Sequence, residues 1–175
     1  MKKALPPLRY YQAELNEIVK RQRVVAASLC TGAGKSLSIM QAVREFGVNT
    51  LIIVPTLNLK DQFLADLNLY FGQKYVGTHE DEELKPIVVA NIQGIQKKDE
   101  KWFKHFDFVI IDEYHHQASD SYYDLNKTMW HNISYRLSLS ATAFRNDNKD
   151  MKLEAIAGSV LYNYPAKQEI GRAHV

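Results

Sequence analysis

Three consecutive stretches decide the fold of this chain: Val24-Val-Ala-Ala-Ser-Leu29, the turn Thr31-Gly-Ala-Gly-Lys-Ser36, and Leu37 through Phe46. The first is apolar and rich in β-branched residues without polar alternation, the pattern of a strand covered on both faces. The third spaces Leu37, Ile39, Met40, Val43 and Phe46 as one face of a helix spanning 36–46. Between them, Gly32 and Gly34 let the backbone bend so that its N–H groups face inward and cradle phosphates. Lys35 adds a point charge for β- and γ-phosphates, and Ser36 offers a hydroxyl to Mg²⁺. Thr31, Gly32, Ala33, Gly34, Lys35 and Ser36 are therefore the candidate nucleotide-binding residues. The generic phosphate-loop pattern has another glycine five residues before Gly34, where this chain has Leu29. A plain glycine turn is the simpler alternative, but Gly-x-Gly-Lys-Ser between strand and helix favours the phosphate loop.

The same alternation continues outward. Thr50 to Val54 is a second strand, and a helix over Leu57 to Phe71 points Leu57, Leu64, Leu67 and Phe71 inward. Ile87 to Ala90, Phe108 to Ile111 and Arg136 to Leu139 read as further strands, with Val160 to Tyr162 as a sixth. Apolar strands alternating with helices predict an α/β domain with a mainly parallel sheet and helices on both faces. Such sheets bind ligands at the carboxyl ends of their strands. Ahead of them, Tyr10 to Val19 reads as a short helix with Tyr11, Leu15 and Ile18 inward. Gly72 to Pro86, with His79-Glu80-Asp81-Glu82-Glu83, reads as an exposed loop or hairpin.

The 175 residues suit one domain, without an internal boundary. Lys plus Arg is 22 against 20 Asp plus Glu, a net charge of +2, so a nucleic-acid surface would have to be local. A single cysteine excludes an internal disulfide and suits a reducing compartment. No apolar run reaches the ~18 residues of a membrane helix, and no apolar segment follows Met1-Lys2-Lys3 as in a signal peptide. A cytoplasmic protein is expected.

Asp112 and Glu113 end the apolar run Phe108-Val-Ile-Ile. Carboxylates there are costly unless they face a cleft or a cation. Beside a phosphate loop, Asp112 can hold the water shell of Mg²⁺ and Glu113 can take a proton from an attacking water. His115 and His116 follow, but adjacent histidines share no helical face and lack partners for a zinc site. Ser140, Ala141 and Thr142 sit at another strand end, where a simple turn is the plainer reading. Cys30 lies in the glycine-rich turn, where Lys35 and a helix N-terminus would favour a thiolate, with a small space-filling residue as the simpler reading. Lys97, Lys101 and Lys104 could share one helical face beside Trp102, with a solvated face as the simpler reading.

The order of these motifs resembles the superfamily-2 helicases and translocases, in the branch with type I and III restriction-enzyme motors, XPB-type repair helicases and UvsW-type phage helicases. Leu8-Arg9-Tyr10-Tyr11-Gln12 is similar to that branch's adenine-contacting segment, with Tyr10 where proline is common. Thr31 to Ser36 matches motif I. Val54-Pro55-Thr56-Leu57, with Gln62-Phe63 downstream, resembles motif Ia, and Ala90-Asn91-Ile92-Gln93 the next strand-contacting motif, with Asn91 for the usual threonine. Asp112-Glu113-Tyr114-His115 is a D-E-x-H box. Leu139 to Arg145 resembles motif III, with Ala143 in place of proline.

The resemblance implies a RecA-like ATPase domain over residues 1–169, with ATP and Mg²⁺ as cofactors. It implies adenine contacts from Arg9 and Gln12, and nucleic-acid contacts from Pro55, Thr56, Asn91 and Gln93. It also implies coupling between the γ-phosphate and the strand through His115, Ser140, Ala141, Thr142 and Arg145. DNA, single-stranded or branched, is the implied track, with RNA less favoured, in a bacterial or phage-infected cell. Motors of this kind close ATP between two RecA-like domains, and roughly thirty residues follow Arg145. A second domain from the same parent chain is therefore expected, with this chain alone nearly inactive. The tail Ile170-Gly-Arg-Ala-His-Val175 resembles a translated sequencing adapter and is expected to be non-native. The competing reading is a non-motor phosphate-loop protein, kinase-like or regulatory.

Overall fold

The computed structural model describes residues 2–29, 34–113, 120–127, 132–141 and 160–164. Cys30, Thr31, Gly32, Ala33, Tyr114, His115, His116, Thr142, Ala143, Phe144, Arg145 and the tail 170–175 lie outside the described residues.

The helices are α1 (Tyr10–Gln22), α2 (Lys35–Phe46), α3 (Leu57–Phe71), α4 (Ile92–Ile95), α5 (Glu100–Phe103) and α6 (Asp120–Leu125). The strands are β1 (Val24–Leu29), β2 (Thr50–Val54), β3 (Val76–Thr78), β4 (Ile87–Asn91), β5 (Phe108–Asp112), β6 (Tyr135–Ser140) and β7 (Val160–Tyr164). They form one seven-stranded sheet in the order β3-β4-β2-β5-β6-β1-β7. Every pairing between neighbours is parallel. Parallel neighbours need crossover connections; helices supply most of them, whereas β3 passes to β4 through the helix-free segment 79–86.

The period-2 geometry of the strands divides their side chains between two cores. In β5, Phe108 and Ile110 join one face with Tyr11, Leu15, Ile39, Val43, Phe63 and Leu67 from α1, α2 and α3. Val109 and Ile111 join the other face with Ile92, Ile95, Phe103 and Tyr122. Strands buried on both sides explain why the sequence shows apolar runs instead of alternation.

Three sequence expectations change. Val76–Thr78, inside the expected polar loop, is a parallel edge strand, and its Val76 is buried. A strand of three residues has too short a pattern to stand out beside the acidic residues that follow it. Leu57, expected inward, is 59 % exposed because it sits at the first turn of α3, beyond the sheet end. Lys97, Lys101 and Lys104 share no helical face, because α4 and α5 are separate helices of 4 residues each. Lys104 instead lies 3.5 Å from Glu100, with both side chains exposed.

Candidate functional site

Gly34 ends the glycine-rich turn as the residue before α2, with φ +71°. Side chains rarely adopt this left-handed conformation, so glycine is favoured there. It starts α2 at Lys35 and directs that side chain across the carboxyl edge of the sheet. Asp112 is the last residue of β5 and pairs in register with Leu139 of β6, while Ser140 pairs with Ser28 of β1. Adjacent strands thus bring the glycine-turn exit, Asp112 and Ser140 to one edge, although they are far apart in sequence.

The Lys35 ammonium lies 2.8 Å from Asp112 Oδ1 and donates a hydrogen bond to Glu113 Oε1. The Glu113 backbone N–H donates to Asp112 Oδ1 at 3.0 Å. Glu113 has φ +52°, so the chain turns sharply at the strand tip in a conformation that costs energy for a non-glycine residue. Burial alone would lower the Lys35 pKa, but the Asp112 charge and the hydrogen bonds that Lys35 donates to both acids more than offset it, and Lys35 is held charged. Burial is also the largest influence on Asp112, 2 % exposed, and pushes its pKa up against the lowering effect of Lys35. A carboxylate that buried needs cationic company. The carboxylate of Asp112 and the exposed Ser36 hydroxyl are hard oxygen donors suited to Mg²⁺, which keeps much of its water shell.

Arg9 and Gln12 stand at the start of α1. The Gln12 side chain accepts from the Arg9 backbone N–H at 3.0 Å and donates to Ser38 Oγ at 3.2 Å. Ser38 Oγ in turn donates to the Gly34 carbonyl at 3.1 Å. The buried Gln12 amide therefore ties α1 to the phosphate-loop exit, and Arg9 donates to the Tyr11 hydroxyl at 3.1 Å.

Pro55, Thr56, Asn91 and Gln93 lie at the carboxyl ends of β2 and β4, neighbours in the sheet. Thr56 Oγ1 caps α3 by accepting from the Leu59 N–H at 3.3 Å. Asn91 is buried and donates to Gln93 Oε1 at 3.0 Å, while Gln93 is exposed. Ala141 is half-buried just beyond Ser140.

Other polar residues here carry no sequence signal. Tyr122 is buried; burial first, and the Asp112 charge second, push its phenol up to about 12. Lys60, in the first turn of α3, and His79, just after β3, are also buried. A lysine in a helix and a histidine in an acidic run read as surface residues; only the three-dimensional packing reveals them.

A glycine-started helix whose lysine meets two acids at the carboxyl edge of a parallel sheet is the arrangement of a RecA-like α/β domain. Residues 5–145 match the family described as Type III restriction enzyme, res subunit, and the chain belongs to it. It is 32 % identical over 167 residues to the DNA 3'-5' translocase XPB2 of Sulfurisphaera tokodaii, an alignment covering 94 % of this chain and 37 % of the relative. Some viral relatives carry RNA-helicase names instead. The structure superposes on the UvsW helicase from bacteriophage T4 with a TM-score of 0.73 and 22 % identity, covering 94 % of this chain and 62 % of that one. It superposes on the Sulfolobus solfataricus SWI2/SNF2 ATPase core in complex with dsDNA with a TM-score of 0.69 and 16 % identity, covering 90 % of this chain and 38 % of that one. The chain thus spans about a third of the length of the translocase relative. Family membership favours a motor half over the non-motor reading. Among the described residues, no helix is long and apolar enough to cross a membrane.

Proposed function

We propose that this chain is the ATP-binding lobe of an ATP-dependent DNA helicase or translocase. The observation that supports it best is Lys35 shared between Asp112 and Glu113 at the carboxyl edge of the sheet. In this reading Thr31 to Ser36 wraps the phosphates of ATP. Arriving phosphates compete with both acids for the Lys35 ammonium, which moves to the β- and γ-oxygens. Ser36 and Asp112 would hold Mg²⁺, which would supply charge neutralisation at the phosphates. Release from Lys35 frees Glu113 to orient a water toward the γ-phosphorus and accept its proton. Arg9 and Gln12 face the adenine end, with Gln12 also bracing the loop through Ser38.

Pro55, Thr56, Asn91 and Gln93 form the strand-facing edge, and contacts there are largely to sugar and phosphate. His115, Ser140, Ala141, Thr142 and Arg145 link that edge to the γ-phosphate. A second RecA-like lobe of the parent protein covers the nucleotide and adds cationic groups for the transition state. DNA is favoured as the track because the translocase relative is named for it. The test is ATP turnover by the two-lobed protein with single-stranded DNA, branched DNA or RNA. DNA should accelerate turnover, and Glu113→Gln should keep nucleotide binding while losing turnover. Turnover indifferent to every nucleic acid would contradict the proposal.

A further inference from the structure

Lys60 lies on the inward face of α3, in the row that also buries Phe63 and Leu67. Long helical side chains lean back toward the helix N-terminus, here toward the carboxyl ends of β3 and β4. The side chain is 8 % exposed, and nothing among the described residues accepts a hydrogen bond from its ammonium. The nearest carboxylate is Glu80 Oε2 at 3.8 Å, on a side chain that is 71 % exposed. A buried stem thus delivers a cation to the strand-facing edge with a weak, displaceable counter-ion. Next to Glu80 stands His79, 6 % exposed, whose Nδ1 has no hydrogen-bond partner. Its ring packs so closely on Gly94 that a Cβ there would lie 2.1 Å from Nε2. That contact joins the cluster to α4, the helix that follows Asn91 and carries Gln93.

Glu80 is placed by a built turn. Thr78 Oγ1 accepts from the Glu80 N–H at 3.3 Å, and Asp81 Oδ2 accepts from the Thr78 N–H at 2.9 Å. Asp81 also fills the space beside Gly77, where a Cβ would lie 2.1 Å from Oδ2.

We propose that Lys60, with His79 beside it, is a phosphate-binding site for the nucleic-acid backbone, and that Glu80 occupies it as an acidic stand-in until a strand arrives. The proposal rests on the strand-facing edge described under Proposed function. It explains a lysine on a buried helix face and an acidic run beside a surface meant for a polyanion. A phosphodiester oxygen entering at Lys60 displaces Glu80 into solvent, so the free protein screens this edge against weakly held anions.

The test is binding of a fluorescent oligo(dT) to the 175-residue chain across a salt series. Lys60→Met keeps the buried stem and removes the charge. It should weaken binding several-fold and reduce the slope of log K against log salt by about 0.7. Glu80→Gln should tighten binding, and this gain should vanish in the Lys60→Met background. Lys60→Arg should retain most of the affinity, which separates lost charge from lost folding. Inorganic phosphate at matched ionic strength should not displace the oligonucleotide; displacement would point to a free-phosphate site instead. Binding indifferent to Lys60→Met, or an equal Glu80→Gln gain in both backgrounds, would overturn this site alone. No binding by the unaltered chain would overturn the strand-facing reading along with it.

Discussion

Lys35 answers two carboxylates at once, and that gives it a stability role that can be measured without nucleotide. Lys35→Ala leaves buried Asp112 without its cation and should cost on the order of 1–3 kcal/mol. Asp112→Asn should recover part of it, with a coupling of about 0.5–3 kcal/mol in a urea-unfolding cycle. Gly34→Ala should cost about 1–2 kcal/mol for its positive φ alone, since the new Cβ meets only ordinary contacts. His79 supplies a pH signature. Burial first, and the Lys60 charge second, hold its pKa below the ordinary 6.5. The unfolded chain then takes up the proton first as pH falls, so stability drops below about pH 6.5. His79→Gln should flatten this component in denaturation midpoints taken between about pH 8 and about pH 5.5. The meeting of Lys35 with Asp112 and Glu113 was legible in the sequence, because the lysine follows Gly-x-Gly between strand and helix and the two acids are costly at the end of an apolar strand. Lys60 and His79 were not, because a polar residue in a polar context announces neither burial nor partner.

At the scale of elements, helix starts do the positioning. Thr56 caps α3, so Thr56→Ala should cost about 1 kcal/mol while Thr56→Ser keeps most of the cap. Comparing the two in strand binding separates capping from direct contact. Gly94 gives α4 its close approach to β3. Gly94→Ala should destabilise by about 1–3 kcal/mol through overpacking against His79, with relief in the Gly94→Ala/His79→Ala double variant by thermal melting. The long elements were readable because their apolar periods run for several residues. β3 is too short for a period and depends on β4 for its place, information that lies outside its own residues.

Across the whole molecule, strand order gathers distant motifs. β1 lies beside β6 and β6 beside β5, which brings Gly34, Ser140 and Asp112 to one edge. β2 and β4 place Thr56 and Asn91 farther along that edge. The net charge of +2 therefore says little about partners, since the chemistry lies in local placement. The class of sheet followed from apolar runs, whereas strand order depends on contacts far apart in sequence. The central claim is that this lobe holds ATP but needs a second lobe to turn it over quickly. The direct measurement is Mg-ATP binding and steady-state hydrolysis by the 175-residue chain, with and without single-stranded DNA. We expect saturable binding that Lys35→Ala abolishes, with slow hydrolysis that DNA barely changes. Fast, DNA-stimulated hydrolysis by this chain alone, lost in Lys35→Ala, or no Mg-ATP binding at all, would contradict that claim.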